Sequence, residues 1–345
     1  MTSLEAKRAP CFWLVGVGGV GSVIVAKMSP RSLLLVDSWE ANVQAIRRQG
    51  LRVDYPDATL TLKARSTTLA ELPSESSAPD FVLLAVKSYE TSAAVAAFEA
   101  HLGEDSAVIS LQNGMNEEWI AARLGSDRTI GATCMLDGRL IAPGHAVQVK
   151  PKSRIVIGEL SGQCSGRIKQ IARVLSPAAD ITVSADIWAE LWTKLVRNCM
   201  INAVSAVTNL PMGRLIKDKK LVRLCVQLGM ETAQVASEVG VQLVDEDLFG
   251  GAASLYLDTQ TDVVANAYRA AYAPYMSLRP SMLQDLDNGR PTEIDYINGY
   301  VVRKGTELGV TLPLNRKIVE LVHNREQGAL PLTPRTLDVE MASVR

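Results

Sequence analysis

Cysteine, histidine and aromatic side chains are all scarce in this chain. Its five cysteines (Cys11, Cys134, Cys164, Cys199 and Cys225) are odd in number and scattered, with no C-x-x-C pair. A disulfide framework or a zinc cage is therefore not expected. Three histidines, His101, His145 and His323, are a poor basis for a histidine-ligated metal or a histidine base, and no metal site is expected. Long apolar runs are missing too. The run Cys11 to Val17 falls far short of the roughly 20 residues a spanning helix needs, and glycines interrupt it. No small-residue cleavage site follows it, so neither a membrane span nor an export signal is expected, and the chain reads as cytoplasmic. Charge of one sign is also lacking: 36 basic residues face 37 acidic ones, a net charge of −1. That balance lacks the footprint of a general nucleic-acid binder and the signature of disorder.

What is present is length and a clear pattern. A chain of 345 residues suggests about two domains. The first part alternates strand and helix signals. Cys11–Val15, Ser32–Asp37, Pro79–Val86 and Ala107–Leu111 are apolar strand runs, with a weaker one at Ala58–Leu62. Between them Gly19–Met28, Glu40–Gln49 and Thr91–His101 read as helices. Continuous apolar strands separated by helices imply a parallel sheet covered on both faces. Three further strands, Ile130–Met135, Ala146–Lys150 and Ile155–Ile157, are expected to extend that sheet, and Leu160–Gly166 is a turn-rich hinge candidate. After Ala185 only helices are expected, over Ile187–Asn209, Leu221–Val239, Asp262–Tyr272, Ile294–Leu308 and Asn315–Gln327. Gly240, Gly309 and Gly328 stand where helix C-caps belong. The expected architecture is α/β. An N-terminal Rossmann-type doubly wound parallel sheet over residues 1–185 precedes an all-helical domain over 186–330. The tail 331–345, with Pro331 and Pro334, is expected to drape on the surface or move.

Gly16-Val17-Gly18-Gly19-Val20-Gly21 follows the first strand and opens a helix, and it matches G-x-G-x-x-G at Gly16, Gly18 and Gly21. In that context Gly16 permits the tight turn, Gly18 lets a pyrophosphate approach the backbone, and Gly21 lets helix and strand pack closely. The unpaired N–H groups at the helix start then hold the anion. Asp37 ends the second strand about 20 residues further on, where an acid accepts hydrogen bonds from ribose hydroxyls. Its charge would repel a 2′-phosphate, so NADH is favoured over NADPH. The competing role for Asp37 is to cap the next helix.

In Ile187–Asn209, Lys194, Asn198 and Asn202 fall at i, i+4 and i+8 and stack on one face of an otherwise apolar helix. Buried amides and a buried lysine need partners, supplied either by neighbouring backbone or by a ligand. A second polar cluster runs from Ser281 to Asp295. Within it Glu293 either sits in the first turn of a helix capped by Thr292, or pairs with Lys194.

Taken together, these residues resemble the ketopantoate reductase (2-dehydropantoate 2-reductase) family from Phe12 to about Asn324. The likeness rests on Gly16–Gly21, Ala85-Val86-Lys87, Gln112-Asn113-Gly114-Met115, the stretch Glu190 to Cys199, Ser281 to Asp285, and Thr292 to Gly299. The resemblance implies an NAD(P)H-dependent reduction of a 2-oxo acid, ketopantoate to pantoate in pantothenate synthesis. It implies Lys194 as general acid and Glu293 in the active site. Asn113, Asn198, Asn202 and Ser281 would bind substrate, and Lys87 would lie at the cofactor, with Asn113 also near it. Family members that use NADPH often carry an arginine near the position of Asp37. Members with an acid there include NAD-dependent D-2-hydroxyacid dehydrogenases, which makes another branched or aromatic 2-oxo acid the alternative substrate. A dinucleotide-binding regulator without turnover is the remaining alternative. A homodimer is expected to be possible. Leu278-Arg279-Pro280 and the extra length from Asp245 to Arg279 depart from the family pattern and would bear on the substrate pocket.

Overall fold

The computed structural model describes residues 9–28, 32–72, 78–149, 153–244 and 276–344, together with 266, 269 and 270. The chain divides into two compact units, one of residues 1–112 and 116–187, the other of residues 113–115 and 188–345. The break follows Ile187, and the short segment Asn113–Met115 groups with the second unit.

The first unit carries twelve strands among the described residues: β1 Cys11–Val15, β2 Ser32–Asp37, β3 Leu51–Asp54, β4 Thr59–Leu62, β5 Arg65–Thr68, β6 Phe81–Leu84, β7 Ala107–Ser110, β8 Thr129–Met135, β9 Gly138–Ala142, β10 His145–Gln148, β11 Arg154–Glu159 and β12 Asp180–Val183. Its helices are α1 Gly19–Lys27, α2 Glu40–Gln49, α3 Thr91–Phe98, α4 Asn116–Leu124 and α5 Gly166–Leu175. Eight strands form one sheet in the order β12-β11-β8-β7-β6-β1-β2-β5. From β5 to β8 all neighbours are parallel, while β11 runs antiparallel to β8. Alternation along β1 explains why the sheet is covered on both sides. Phe12 and Leu14 join Val23, Ile24 and Val25 of α1 in one core. Trp13 and Val15 join Val95 and Phe98 of α3 in another. The chain proceeds from β1 to β2 on one side and returns to β6 on the other, so the strand order reverses at β1, the place where parallel sheets bind ligands at their carboxyl ends.

The later strands divide between two sheets. Of the three later strands, β8 and β11 extend the main sheet, but β10 does not. It joins a separate four-stranded sheet in the order β4-β3-β10-β9, paired in parallel with β3. The reason is a pairing between strands about 90 residues apart, such as Ala146 with Val53, which no local pattern reveals. The small sheet backs α1: the Tyr55 hydroxyl donates to the Val23 carbonyl at 2.8 Å, and the Lys27 ammonium lies 4.3 Å from the Tyr55 ring centre.

The second unit is helical among its described residues: α6 Ile187–Thr208, which starts at the junction, α7 Met212–Leu215, α8 Lys219–Glu238, α9 Ser281–Asp287, α10 Asn298–Glu307, α11 Pro313–Glu326 and α12 Pro334–Ala342. Gly240, Gly309 and Gly328 all have positive φ (84°, 73° and 94°), as glycines after helix ends do. The expected helix Ile294–Leu308 is broken. A 3-10 turn at Ile294–Tyr296 precedes α10, with Ile297 at φ −110° and ψ −94° between them. Of the expected helix Asp262–Tyr272, Asn266, Arg269 and Ala270 are described, all three helical, and the rest lies outside the described residues. The tail is not draped loosely. Thr333 caps α12, accepting from the Thr336 N–H at 3.2 Å, and Leu337 and Met341 are fully buried. Burying each such side chain contributes about 1.5–3 kcal/mol, which outweighs the surface character its prolines and charges suggest.

Candidate functional site

The glycine loop connects β1 to α1, and each glycine meets a different constraint. Gly16 has φ +96°, and a Cβ there would stand 2.6 Å from the Val86 nitrogen. At Gly21 a Cβ would stand 2.6 Å from the Gly16 carbonyl oxygen and 3.0 Å from Leu14, so this glycine serves helix-to-strand packing. Gly18 is different: a Cβ there would meet nothing within 4 Å. Gly18 is also the N-cap of α1, and no side chain caps that helix. An open, uncapped helix start beside a residue without a side chain fits a pyrophosphate. Gly19, in contrast, faces protein; its backbone packs directly on Gly138 and Arg139 of β9. Val20 follows it in the first turn of α1.

Asp37 stands at the end of β2, with its carboxylate held by main-chain donors on two sides. Oδ1 accepts at 2.9 Å from the N–H of Trp39, the residue that precedes α2, so Asp37 fixes the entry to that helix and does not cap its first turn. Asp37 also reaches the glycine loop, where Oδ2 accepts from the Val17 N–H at 3.0 Å. The Val17 N–H is thus engaged by the acid. Lys87 stands at the carboxyl end of β6, as the N-cap of the turn Ser88–Glu90.

The sequence reading overlooked the residues that hold this end of the sheet together. Gln112 donates from Nε2 to the Val86 carbonyl at 3.0 Å and to the Thr91 hydroxyl at 2.7 Å. The Thr91 hydroxyl donates to Asn116 Oδ1 at 2.9 Å, and Asn116 donates to the Ser88 hydroxyl at 3.1 Å. These buried bonds fix Ala85-Val86-Lys87 against Gly16. Their only sequence signal was a set of polar residues at the ends of apolar strands.

In the helical unit, α6 is continuous from Ile187 to Thr208, so Lys194, Asn198 and Asn202 do share one face. Lys194 and Asn198 are half-buried and Asn202 is buried. The Asn198 Nδ2 is itself buried and has no hydrogen-bond partner among the described residues. An unpaired buried amide donor costs on the order of 1–3 kcal/mol, which a ligand acceptor would recover. Ser281 is half-buried at the first residue of α9, and Glu293 is buried just before the 3-10 turn. Thr292 accepts from the Ile294 N–H at 3.3 Å, the capping contact expected of it one turn earlier than the α-helix proper. Asn113 begins the turn after β7, with Gly114 at φ +83°.

A buried network beside Asn198 was also missed. Asn298 donates from Nδ2 to the Cys199 carbonyl at 3.2 Å and to Asn315 Oδ1 at 2.9 Å. Asn315 donates to the Leu228 carbonyl at 3.1 Å and to Glu231 at 2.8 Å. Glu231 in turn accepts from the N–H groups of Leu314 and Asn315, at 2.9 and 2.8 Å, and so caps α11. Burial pushes the Glu231 carboxyl up, more than those donors pull it down. Burial likewise pushes the neighbouring Cys199 thiol up to about 12, so it stays a neutral thiol. The network ties α6, α8, α10 and α11 together next to the polar stripe.

Residues 12–162 match the family described as ketopantoate reductase PanE/ApbA, and residues 186–326 match ketopantoate reductase PanE/ApbA C terminal. Among curated proteins, the 2-dehydropantoate 2-reductase of Archaeoglobus fulgidus is 28% identical over 322 residues, covering 91% of this chain and 97% of that protein. Among solved structures, a PanE/ApbA family ketopantoate reductase from Ralstonia eutropha JMP134 is 27% identical with a TM-score of 0.75, covering 92% of this chain and 99% of the other. A D-mandelate dehydrogenase solved with NADH and anilino(oxo)acetate superimposes with a TM-score of 0.79 at 23% identity, covering 92% and 98%. At that identity the last likeness speaks for the fold.

Proposed function

The chain belongs to the ketopantoate reductase family, and from that premise we propose that it is an oxidoreductase reducing the C2 carbonyl of a 2-oxo acid, with ketopantoate the first candidate and pantoate its product. When bound, a reduced nicotinamide dinucleotide supplies the hydride that reaches C2. Gly16, Val17, Gly18, Gly19, Val20 and Gly21 shape its pyrophosphate cradle, Asp37 meets its adenosine ribose, and Lys87 and Asn113 border it. Lys194, as an ammonium, gives one proton to the carbonyl oxygen while that oxygen gains negative charge. Solvent returns the proton to the amine after product leaves. Glu293 is the carboxylate that balances and orients Lys194. Asn198, Asn202, Asn113 and Ser281 donate hydrogen bonds to the substrate's oxygens.

The observation that carries this reading is the Asn198 amide nitrogen, buried and without a partner among the described residues, one helical turn from Lys194 on the same face. A structural asparagine would have its donor satisfied. Asp37 favours a second reading within the same chemistry: an NADH-dependent D-2-hydroxyacid dehydrogenase taking another branched or aromatic 2-oxo acid. Its carboxylate stands at the end of β2, where it would repel a 2′-phosphate. The deciding experiment follows the loss of reduced-nicotinamide absorbance with ketopantoate, benzoylformate and 2-oxoisovalerate, each with NADH and NADPH. Turnover of ketopantoate above the others supports the first reading, and preference for benzoylformate with NADH supports the second. No turnover of any 2-oxo acid with either dinucleotide defeats both.

A further inference from the structure

Asn42 lies in the first turn of α2 and is completely buried. Every polar atom of its side chain is used. Nδ2 donates to Asp37 Oδ2 at 2.9 Å and to the Val17 carbonyl at 3.1 Å. Oδ1 accepts from the Gly144 N–H at 2.7 Å, at the turn between β9 and β10. A burial this deep is costly for an amide unless all its bonds are made, and here they are made to three separate segments.

The consequence falls on Asp37. A carboxylate has about four acceptor positions, two on each oxygen. Among the described residues Oδ2 is filled by the Val17 N–H and Asn42, whereas Oδ1 takes the Trp39 N–H alone. The carboxylate is thereby locked in one rotamer with a single acceptor position open on Oδ1. We propose that Asn42 is the positioning residue for coenzyme selectivity. It fixes Asp37 so that Oδ1 accepts from one hydroxyl of the adenosine ribose, and it keeps the negative charge where a 2′-phosphate would have to sit. Without Asn42 the carboxylate keeps only the Val17 and Trp39 N–H groups, so its orientation loosens and the ribose hydroxyl meets a less fixed acceptor. This inference rests on the dinucleotide reading of the sheet unit and is independent of which 2-oxo acid is reduced.

Isothermal titration of the full chain with NADH and with NADPH, in the absence of any keto acid, tests it. The wild-type chain should bind NADH more tightly. In Asn42→Ala the NADH affinity should fall about tenfold, the yield of one hydrogen bond to a charged group, with little change for NADPH, so the preference collapses. In the Asp37→Asn background the same change should leave the preference unmoved, because the group Asn42 positions has lost its charge. Asn42→Ser serves the same cycle should the alanine variant fail to fold, as judged by its circular dichroism melt. A wild-type chain without NADH preference sinks the reading of Asp37, and the role of Asn42 with it. A wild-type preference that survives loss of Asn42, or an equal fall for both dinucleotides, sinks the role of Asn42 alone.

Discussion

The residues proposed for function are of different kinds in the two units. In the sheet unit the proposed dinucleotide cradle is mostly main chain: a left-handed glycine at 16, an open Gly18, an uncapped helix start, and one acid. In the helical unit the proposed set is entirely side chain: an ammonium, amides, a hydroxyl and a carboxylate carried on α6, on α9 and before α10. Backbone sites tolerate little substitution because the geometry itself is the ligand. Side-chain sites tolerate loss of the group while the fold persists, and what disappears is rate. Substitutions in each kind of site test that contrast, with the largest effect expected at Lys194.

Lys194→Ala should lower kcat by about 10²–10⁴-fold, the usual loss for a missing general acid, while NADH affinity by titration stays at the wild-type value. A kcat near wild type removes Lys194 from its role and erases the contrast. Gly16→Ala should do the reverse. A residue with a Cβ held at φ +96° costs about 1–3 kcal/mol, before its contact with Val86. Dinucleotide affinity and melting temperature should therefore fall together. Asn298→Ala should leave dinucleotide affinity intact and cost about 1–3 kcal/mol in denaturant unfolding, since Asn315 Oδ1 and the Cys199 carbonyl lose their shared donor.

The smallest effect concerns acid. Glu159 of β11 is pushed up by burial, but its bonds to Arg167 and Ser165 and the guanidinium charge outweigh this and hold it below the usual carboxylate range. Its stabilisation is present above the ordinary glutamate pKa and lost as pH falls through its lowered folded value. Glu231, pushed up by burial, has the opposite sign. Its contribution is present below the ordinary value and lost as pH rises through its raised one. Below the ordinary glutamate range, hydrogen exchange should therefore open the β11–α5 region before the Glu231-capped start of α11. Simultaneous opening would show that these carboxyls do not set the order.

Legibility in the sequence followed the same division. The glycine loop and Asp37 could be read because the fingerprint joins residues close along the chain, in a fixed strand-turn-helix order. Lys194, Asn198 and Asn202 could be placed on one face by spacing, but spacing alone left their purpose open. The four-stranded sheet was not legible. Its strands are short, and β3 finds β10 across most of the unit. The bonds of Asn298, Asn315 and Glu231 join residues 17, 84 and 99 positions apart, and nothing in any one segment marks them as partners. The tail misled because prolines at a helix start resemble those of a loop until Leu337 and Met341 are seen to be enclosed.

The abutment of Gly19 and Gly138 changes what counts as a transferable part. A protein engineer lifting the nucleotide fingerprint into another scaffold would ordinarily take one uninterrupted peptide. Here that peptide would arrive without its counterpart, and a larger residue on either side would force the two apart. The portable module is a pair of distant stretches that must travel together, and swapping either glycine alone for a bulkier residue offers its partner no smaller option with which to compensate.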